Sequence, residues 1–503
     1  ADLPPAVPGG RTDRVSAPGT SVQPPAEATL RPDAVGFLDA LVIGLAATSP
    51  AYSLAAVLGP VVALVGVHAP GVLLASFVPM LLIAGAFAAL NRADPDCGTT
   101  FSWVTRAMGP WAGWIGGWAI TMTGVLVLGS LAEVGVRFTL LAAGLDGWTE
   151  SPLAVPVLTV ALIVLMAWIC VRGTELSARL QNGLILAQTV ALAVFAGVAI
   201  SRGVAGDSPF DALTPSWRWL DPFGAGGAAL TGGLLLGVFA YWGWESAVNL
   251  TEETTNSRTA PGRAAVLSTV VLLLTYLAVG TAVVSFAGTD WLAGNADEEE
   301  AVFALLSSEA LGGWDWVVLL AVATSAIAST QTTIIPASRT GLSMARRAAL
   351  PRRFASISPL HRTPDVSTWW VAVVGIAWYL GVGLVSENAL YDSITGLSLL
   401  IALYYALTGL ACAVYFRRRL LRSVRDFLLL GVGPFTGAAM LAWLLVLSVR
   451  DLADAENSYT GQAWFGVGPP LVIGVGVMLA GVVLMLWWRS RDAAFWREKP
   501  TAD

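Results

Sequence analysis

Apolar, almost uncharged runs recur along the chain from residue 36 to residue 488, separated by short polar or charged segments. A bilayer core about 30 Å thick is crossed by a helix of roughly 20 apolar residues. Judged by that length, the pattern predicts twelve spans, near 36–66, 71–91, 111–136, 152–171, 180–201, 226–250, 264–287, 314–338, 367–385, 393–416, 427–448 and 468–488. The expected class is an all-α membrane protein. Two of these runs are interrupted. The first contains Thr48-Ser49-Pro50 at its centre. Pro50 lacks an N–H and its ring clashes with the carbonyl four residues back, so two half-helices are expected to meet there. Ser49 is then the N-cap and Pro50 the first residue of the second half. The amides of Ala51 and Tyr52 would point into the membrane interior, a setting suited to a carboxylate. The sixth run carries Gly237-Val238-Phe239-Ala240-Tyr241-Trp242-Gly243-Trp244-Glu245, where Gly243 weakens the helix and Glu245 is an acid at membrane depth.

Spans one and six head two sets of five, and an odd set enters the membrane the second time from the opposite side. Paired interruptions in two inverted halves point to a transporter site. The expected organisation is a disordered cytoplasmic tail over 1–34, a first repeat over 35–201, an outer loop over 202–225, a second repeat over 226–416, two further helices over 427–489, and a tail over 490–503. The basic residues give the orientation. With both ends inside, every arginine and Lys499 falls on the inner side except Arg137, Arg202, Arg218 and Arg450, as the positive-inside rule requires. The outer loops are acidic instead, as in Asp297-Glu298-Glu299-Glu300.

Composition agrees with this class. The 503 residues are 56% hydrophobic and 12% charged, with a mean hydropathy of +0.70. Cys97, Cys170 and Cys412 have no metal-type spacing, and His68 and His361 lie near loops. An intramembrane enzyme would need a nucleophile or metal constellation that these residues do not form. A channel would need a continuous polar pore rather than inverted broken helices. Neither a cofactor nor nucleic acid is expected. Gly224-Ala225-Gly226-Gly227 is followed by no Lys-Ser or Lys-Thr, so it is read as a site of close helix approach rather than a phosphate loop.

Many short motifs, in register over spans one to nine, resemble the amino acid–polyamine–organocation permeases. Pro95-Asp96-Cys97-Gly98-Thr99-Thr100-Phe101-Ser102-Trp103 is similar to that family's Pro-Glu-Ala-Gly-Gly-x-Tyr segment. Gly109-Pro110-Trp111-Ala112-Gly113-Trp114 and Gly117-Trp118 continue it. Gly173 with Ser177 to Asn182 resembles the entry into span five, and Phe239 to Ser246 the broken sixth span. Glu252-Glu253, Asn256, Arg258 and Pro261 follow in the usual order, as do Arg339, Ser343 to Arg346, Leu350-Pro351 and Thr363-Pro364. The resemblance implies a five-plus-five inverted repeat with discontinuous helices one and six, and a short amphipathic helix carrying Phe101, Trp103, Val104 and Met108. Two departures matter. Thr48-Ser49-Pro50 stands where the family usually has Gly-x-Gly. Gln188 stands where many proton-coupled relatives carry a lysine.

The resemblance implies alternating access and assigns a site. Ala47, Thr48, Ser49, Ala51 and Tyr52 would take a substrate carboxylate. Phe239, Ala240 and Trp242 would offer freed carbonyls to the amino group, with Phe239 as an aromatic gate. Ile120, Thr121 and Gly124, with Thr123 and Leu128, would approach from span three, and their lack of charge favours a neutral amino acid. An ionised acid is costly at membrane depth, which makes Glu245 the candidate proton carrier. Sodium is the rival, with Thr324, Ser325, Ser329 and Thr330 as possible oxygen ligands, although such hydroxyls most often bond their own helix. Obligatory exchange is a third mode. Glu133 and Arg137, four apart, should pair. The alternative function is an amine, polyamine or amino acid exchanger of the same family. Expected partners are an amino acid, membrane lipids and H+, with the chain a monomer or homodimer in the cytoplasmic membrane.

Overall fold

A computed structural model describes residues 29–149, 151–295, 299–383, 387–458 and 460–501. Residues 1–28 of the expected tail, Asp297 and Glu298 of the acidic loop, residues 384–385 at the end of the ninth run, and residues 502–503 lie outside the described residues. Among the described residues the regular structure is helical apart from isolated bridges at Val35–Thr254 and Trp464–Val467. The helices are α1 Phe37–Thr48, α2 Pro50–Val65, α3 Ala69–Ala93, α4 Thr100–Met108, α5 Pro110–Ala142, α6 Asp146–Thr149, α7 Ala154–Arg172, α8 Thr174–Ala205, α9 Gly227–Ala240 and α10 Ser246–Asn249. Then follow α11 Ala260–Ala287, α12 Thr289–Gly294, α13 Glu299–Leu311, α14 Trp316–Arg346, α15 Asp365–Gly383, α16 Glu387–Tyr415, α17 Val424–Asp426, α18 Gly433–Asp451 and α19 Pro469–Arg491.

Ten helical stretches among the described residues are long and apolar enough to cross a membrane, the first being the whole of Phe37–Ala93. The sixth expected run is not one of them. Its apolar helix, Ala229–Ala240, is short, and the chain resumes after a five-residue turn only as the single-turn α10. Gly243 sits in that turn at φ +121°, a conformation no helix continues through.

Burial sorts the helices into an inner and an outer set. In its most apolar window α14 is 89% buried and α5 72%, whereas α19 is 28% buried and α7 33%. The inner pair is drawn together where Gly124 of α5 faces α14. A Cβ there would lie 3.0 Å from the Ala337 Cβ and 3.1 Å from the Thr333 carbonyl oxygen. Small residues at such crossings let backbones approach, which is how helices gain contact where no hydrophobic drive separates them from lipid. Glu133 and Arg137 pair at 2.7 Å on α5. The amphipathic α4 buries Phe101, Trp103 and Val104 completely.

Residues 29–34, expected within the free tail, are docked instead. Leu30 is buried with Cys97, Leu342 and Ile357, and Arg31 pairs with Glu175 at 3.0 Å. Tying them down is the bridge that Val35 makes to Thr254, through Val35 N–H to the Glu253 carbonyl at 3.0 Å and Thr255 N–H to the Val35 carbonyl at 2.9 Å.

On the side of the bundle where α4 lies, Arg339 of α14 and Glu253 form an ion pair at 2.9 Å, with side chains 1% and 0% exposed. Thr174, at the start of α8, donates its hydroxyl to the same carboxylate. Both charges are thus removed from water and satisfied only by each other and their neighbours. Removing one partner strands the other, at a cost of about 3–5 kcal/mol. Arg339→Ala should therefore lower the thermal stability of the purified protein by that order. Replacing both partners with apolar residues of similar volume should recover most of the loss, as differential scanning fluorimetry of the single and double variants would show.

Candidate functional site

The site begins with Pro50. The residue before a proline is pushed away from the right-handed helical region, and Ser49 takes φ 55°, ψ 62°, the left-handed region. The helix therefore ends at Thr48 and restarts at Pro50. Helix ends leave carbonyls without partners, and in a membrane interior these must be met by protein. Here they are. The Ala46 carbonyl accepts Ser49 N–H at 3.1 Å, the Ala47 carbonyl accepts the Ser329 hydroxyl at 3.0 Å, and the Thr48 carbonyl accepts the Ser53 hydroxyl at 2.7 Å. Ser49 holds the N-cap position, but its side chain does not cap α2. Its hydroxyl lies 3.0 Å from that of Ser325 on α14. The left-handed backbone turns it toward that helix rather than over the first turn of α2. Thr48 bonds back to the Gly44 carbonyl at 3.2 Å.

The second break abuts the first. A Cβ on Gly243 would lie 2.5 Å from the Ala47 carbonyl oxygen and 2.9 Å from the Thr48 nitrogen. Only glycine fits, both for its φ and for this contact. At the end of α9 the Ala240 carbonyl is taken by the Tyr276 hydroxyl at 2.5 Å, and the Phe239 carbonyl by Trp242 N–H at 3.0 Å. Phe239 and Ala240 were expected to offer free carbonyls; the first oxygen is engaged within its own turn and the second by α11.

Between the breaks lies a small cavity of about 10 Å³, room for little more than one water, lined by Ala47, Thr48, Ser49, Tyr52, Ser53, Val127, Leu131, Phe239, Trp242 and Ser329. That is far below the roughly 300–1,000 Å³ of drug-sized sites, so in this conformation the walls are closed together. The lining is apolar on one side and hydroxyl and backbone on the other, and none of its residues carries a charge. Of the expected residues it gathers Ala47, Thr48, Ser49, Tyr52, Phe239 and Trp242. Ala51 and Ala240 are buried behind it. Ile120 and Gly124 lie on α5 seven residues before Val127 and Leu131. That spacing puts them on the same helix face, two turns away, with Thr121 beside them bonded to the Gly117 carbonyl at 2.8 Å. Of the hydroxyls weighed for sodium, Ser325 and Ser329 reach the first break. Thr324 and Thr330 bond their own helix, at 2.7 Å to Leu320 and 2.8 Å to Ala326.

Glu245 is 2% exposed and does not line the cavity. Its carboxylate accepts the Tyr404 hydroxyl at 2.5 Å and the Tyr405 hydroxyl on its other oxygen. Tyr404 in turn accepts the Trp242 indole N–H at 2.6 Å, and Tyr405 the Gly243 N–H at 3.4 Å. Trp244 stacks on Tyr405 with rings 5.3 Å apart and 8° from parallel. One acid thus holds the turn of span six to α16 and reaches a cavity wall through two bonds. The tyrosine pair escaped the sequence reading because two aromatics in an apolar helix look like packing. The signal available was Glu245 itself, a buried acid in need of donors. Gln188 is buried on α8, and among the described residues neither end of its amide has a hydrogen-bond partner.

Ser49→Ala would strand Ser325 beside the break, and a buried hydroxyl left without its partner costs about 1–3 kcal/mol. Ser49→Ala and Ser325→Ala should each destabilise the protein by that amount, and the double variant should be no worse than the poorer single. Ser49→Gly, which relieves the left-handed backbone, should be milder than Ser49→Ala. Chemical or thermal unfolding of the four proteins checks the cycle.

In sequence the chain is similar to several transporters. Asc-type amino acid transporter 1 of Homo sapiens is 27% identical over 426 residues, covering 82% of this chain and 73% of that one. An uncharacterized transporter of Mycobacterium tuberculosis is 27% identical over 465 residues, covering 91% and 93%. The branched-chain amino acid permease BcaP of Lactococcus lactis is 24% identical over 438 residues, covering 81% and 87%. The model of the family described as amino acid permease matches residues 36–486. This multi-pass membrane protein belongs to the amino acid permease family.

Proposed function

We propose that the protein carries neutral amino acids across the cytoplasmic membrane by alternating access, with the cavity between the two helix breaks as its substrate site. The observation that carries this reading is the contact of Gly243 with Ala47, which sets two interrupted helices around one small space. The substrate carboxylate lies against the first break, at Ala47, Thr48 and Ser49, where the amide of Ala51 at the start of α2 has no carbonyl of its own helix to bond. The amino group lies toward Phe239 and Trp242, and Phe239 closes over it. Val127 and Leu131 receive the side chain. The uncharged lining favours a neutral side chain and gives a polyamine no counter-charge, which sets the amine exchanger second. Relatives whose names state amino acid transport support the substrate class.

In this reading α1 with α2 forms one crossing and α9 with α10 another, so that twelve crossings form two inverted sets of five and a final pair, with both termini cytoplasmic. The distribution of arginines supports that orientation. Gln188 carries no titratable proton, and coupling falls to Glu245. Both its oxygens accept tyrosine hydroxyls, and a proton arriving on one of them removes the charge that strengthens those bonds. Weakening the bond from Tyr404 loosens the hydroxyl that holds Trp242, and the charge on Glu245 is thereby felt at the cavity wall.

Uptake into proteoliposomes tests this. Wild-type uptake should rise when the outside is made more acidic than the inside and should ignore sodium. Glu245→Gln should lose the response to the gradient while still exchanging internal for external substrate. A sodium requirement, or an unaltered pH response in Glu245→Gln, would refute the coupling.

A further inference from the structure

After α19 the chain does not leave the bundle. Phe495 is 1% exposed, packed with Phe101 of α4, Trp114 of α5, Met344 of α14, Ala349 and Met485. Its ring lies 5.5 Å from that of Phe101, and the Trp496 ring 5.1 Å from that of Trp111. Further on, Glu498 pairs with Arg347, just past α14, at 3.6 Å. Thr501 N–H then bonds to the Arg106 carbonyl of α4 at 2.9 Å. We propose that Phe495–Thr501 is a strap that clamps α4 to the end of α14 and holds this side of the carrier closed.

The clamped elements are also bonded to each other and to α10. Ser102 of α4 and Ser343 of α14 have hydroxyls 3.0 Å apart. In the loop before α4, the Cys97 carbonyl accepts the Asn249 amide of α10 at 3.0 Å, and Thr99 accepts the same amide at 3.1 Å. Opening this side requires α4, α10 and α14 to separate, and the strap spans two of them. It has two unlike halves. Phe495 and Trp496 are set in an aromatic cluster and anchor it. The polar half is loosely held. Its ion pair is long and partly exposed, the kind that contributes little. A cavity lined by Thr105, Arg106, Arg347, Glu498, Lys499 and Thr501 lies beneath it. The polar half is thus the part that can lift while the aromatic half stays in place.

The inference rests on the reading of the chain as an alternating-access carrier, and a natural thiol lets it be tested without substrate. Cys97 is fully buried beside α4, and burial pushes its thiol well above the ordinary value. Thiols react as thiolates, so its alkylation in the closed protein is slow. The purified full chain and a variant ending at Arg491 are treated with N-ethylmaleimide, and modification of the Cys97 peptide is followed by mass spectrometry. The variant should be alkylated at Cys97 at least fivefold faster, with Phe495→Ala in between. Equal rates in a truncated protein with an unchanged melting temperature overturn the strap, whether or not the protein transports amino acids. Should the truncation not fold, Arg106→Cys with Thr501→Cys decides. Oxidising that pair should slow substrate exchange at least fivefold, reversibly on reduction, and full exchange in the oxidised form overturns the inference.

Discussion

The Ala47 carbonyl and the Gly243 backbone meet with no room for a single additional carbon atom. That contact forces the rest of the centre. It needs α1 to stop where its last carbonyls face α9 and α14, which Pro50 secures by denying Ser49 a helical backbone. It needs a glycine at φ +121° in the facing turn. It also needs every carbonyl released by the two breaks to find a donor away from water. Ser329, Ser53 and Tyr276 supply those donors from α14, α2 and α11. The hydroxyls of this region are placed by the breaks they serve.

The same economy explains why Glu245 is tolerated. An isolated carboxylate at that depth would be prohibitive, but two tyrosine hydroxyls from α16 meet its two oxygens, and Trp242 and Gly243 complete the chain of donors. The network links the turn after α9 to a helix 159 residues further along the chain. On the α4 side, Arg339, Glu253 and Thr174 form a second satisfied buried cluster. The crossing of α5 and α14 is set by small residues, Gly124 against Ala337.

The break at Pro50 was legible because a missing N–H acts locally and needs no partner to be foreseen. The interruption near Gly243 was legible for the same reason, though not its extent. That span six resumes as a single turn follows from contacts of Asn249 with the loop before α4, which no local pattern reveals. The partner of Ser49 lies 276 residues away, and its capping role was inferred from a position whose backbone turned out left-handed. On α5 the helical period identifies a face but not a depth. Ile120 and Val127 are equivalent to it, and only the tertiary placement that sets Val127 and Leu131 beside the two breaks chooses between them. Ala240 was given a free carbonyl because nothing in the sequence places Tyr276 beside it.

The central claim, that the cavity between the breaks holds an amino acid by its carboxylate, is tested most directly by ligand-induced stabilisation. A ligand bound only to the folded state raises the melting temperature, the more so the further its concentration exceeds its Kd. A panel of amino acids is run beside the corresponding amides and methyl esters, on wild type and on Thr48→Trp, which fills the space at the first break. Neutral amino acids should stabilise wild type, their carboxylate-blocked forms should not, and Thr48→Trp should respond to neither. Equal stabilisation by blocked and free forms, or an undiminished response in a folded Thr48→Trp protein, would contradict the account.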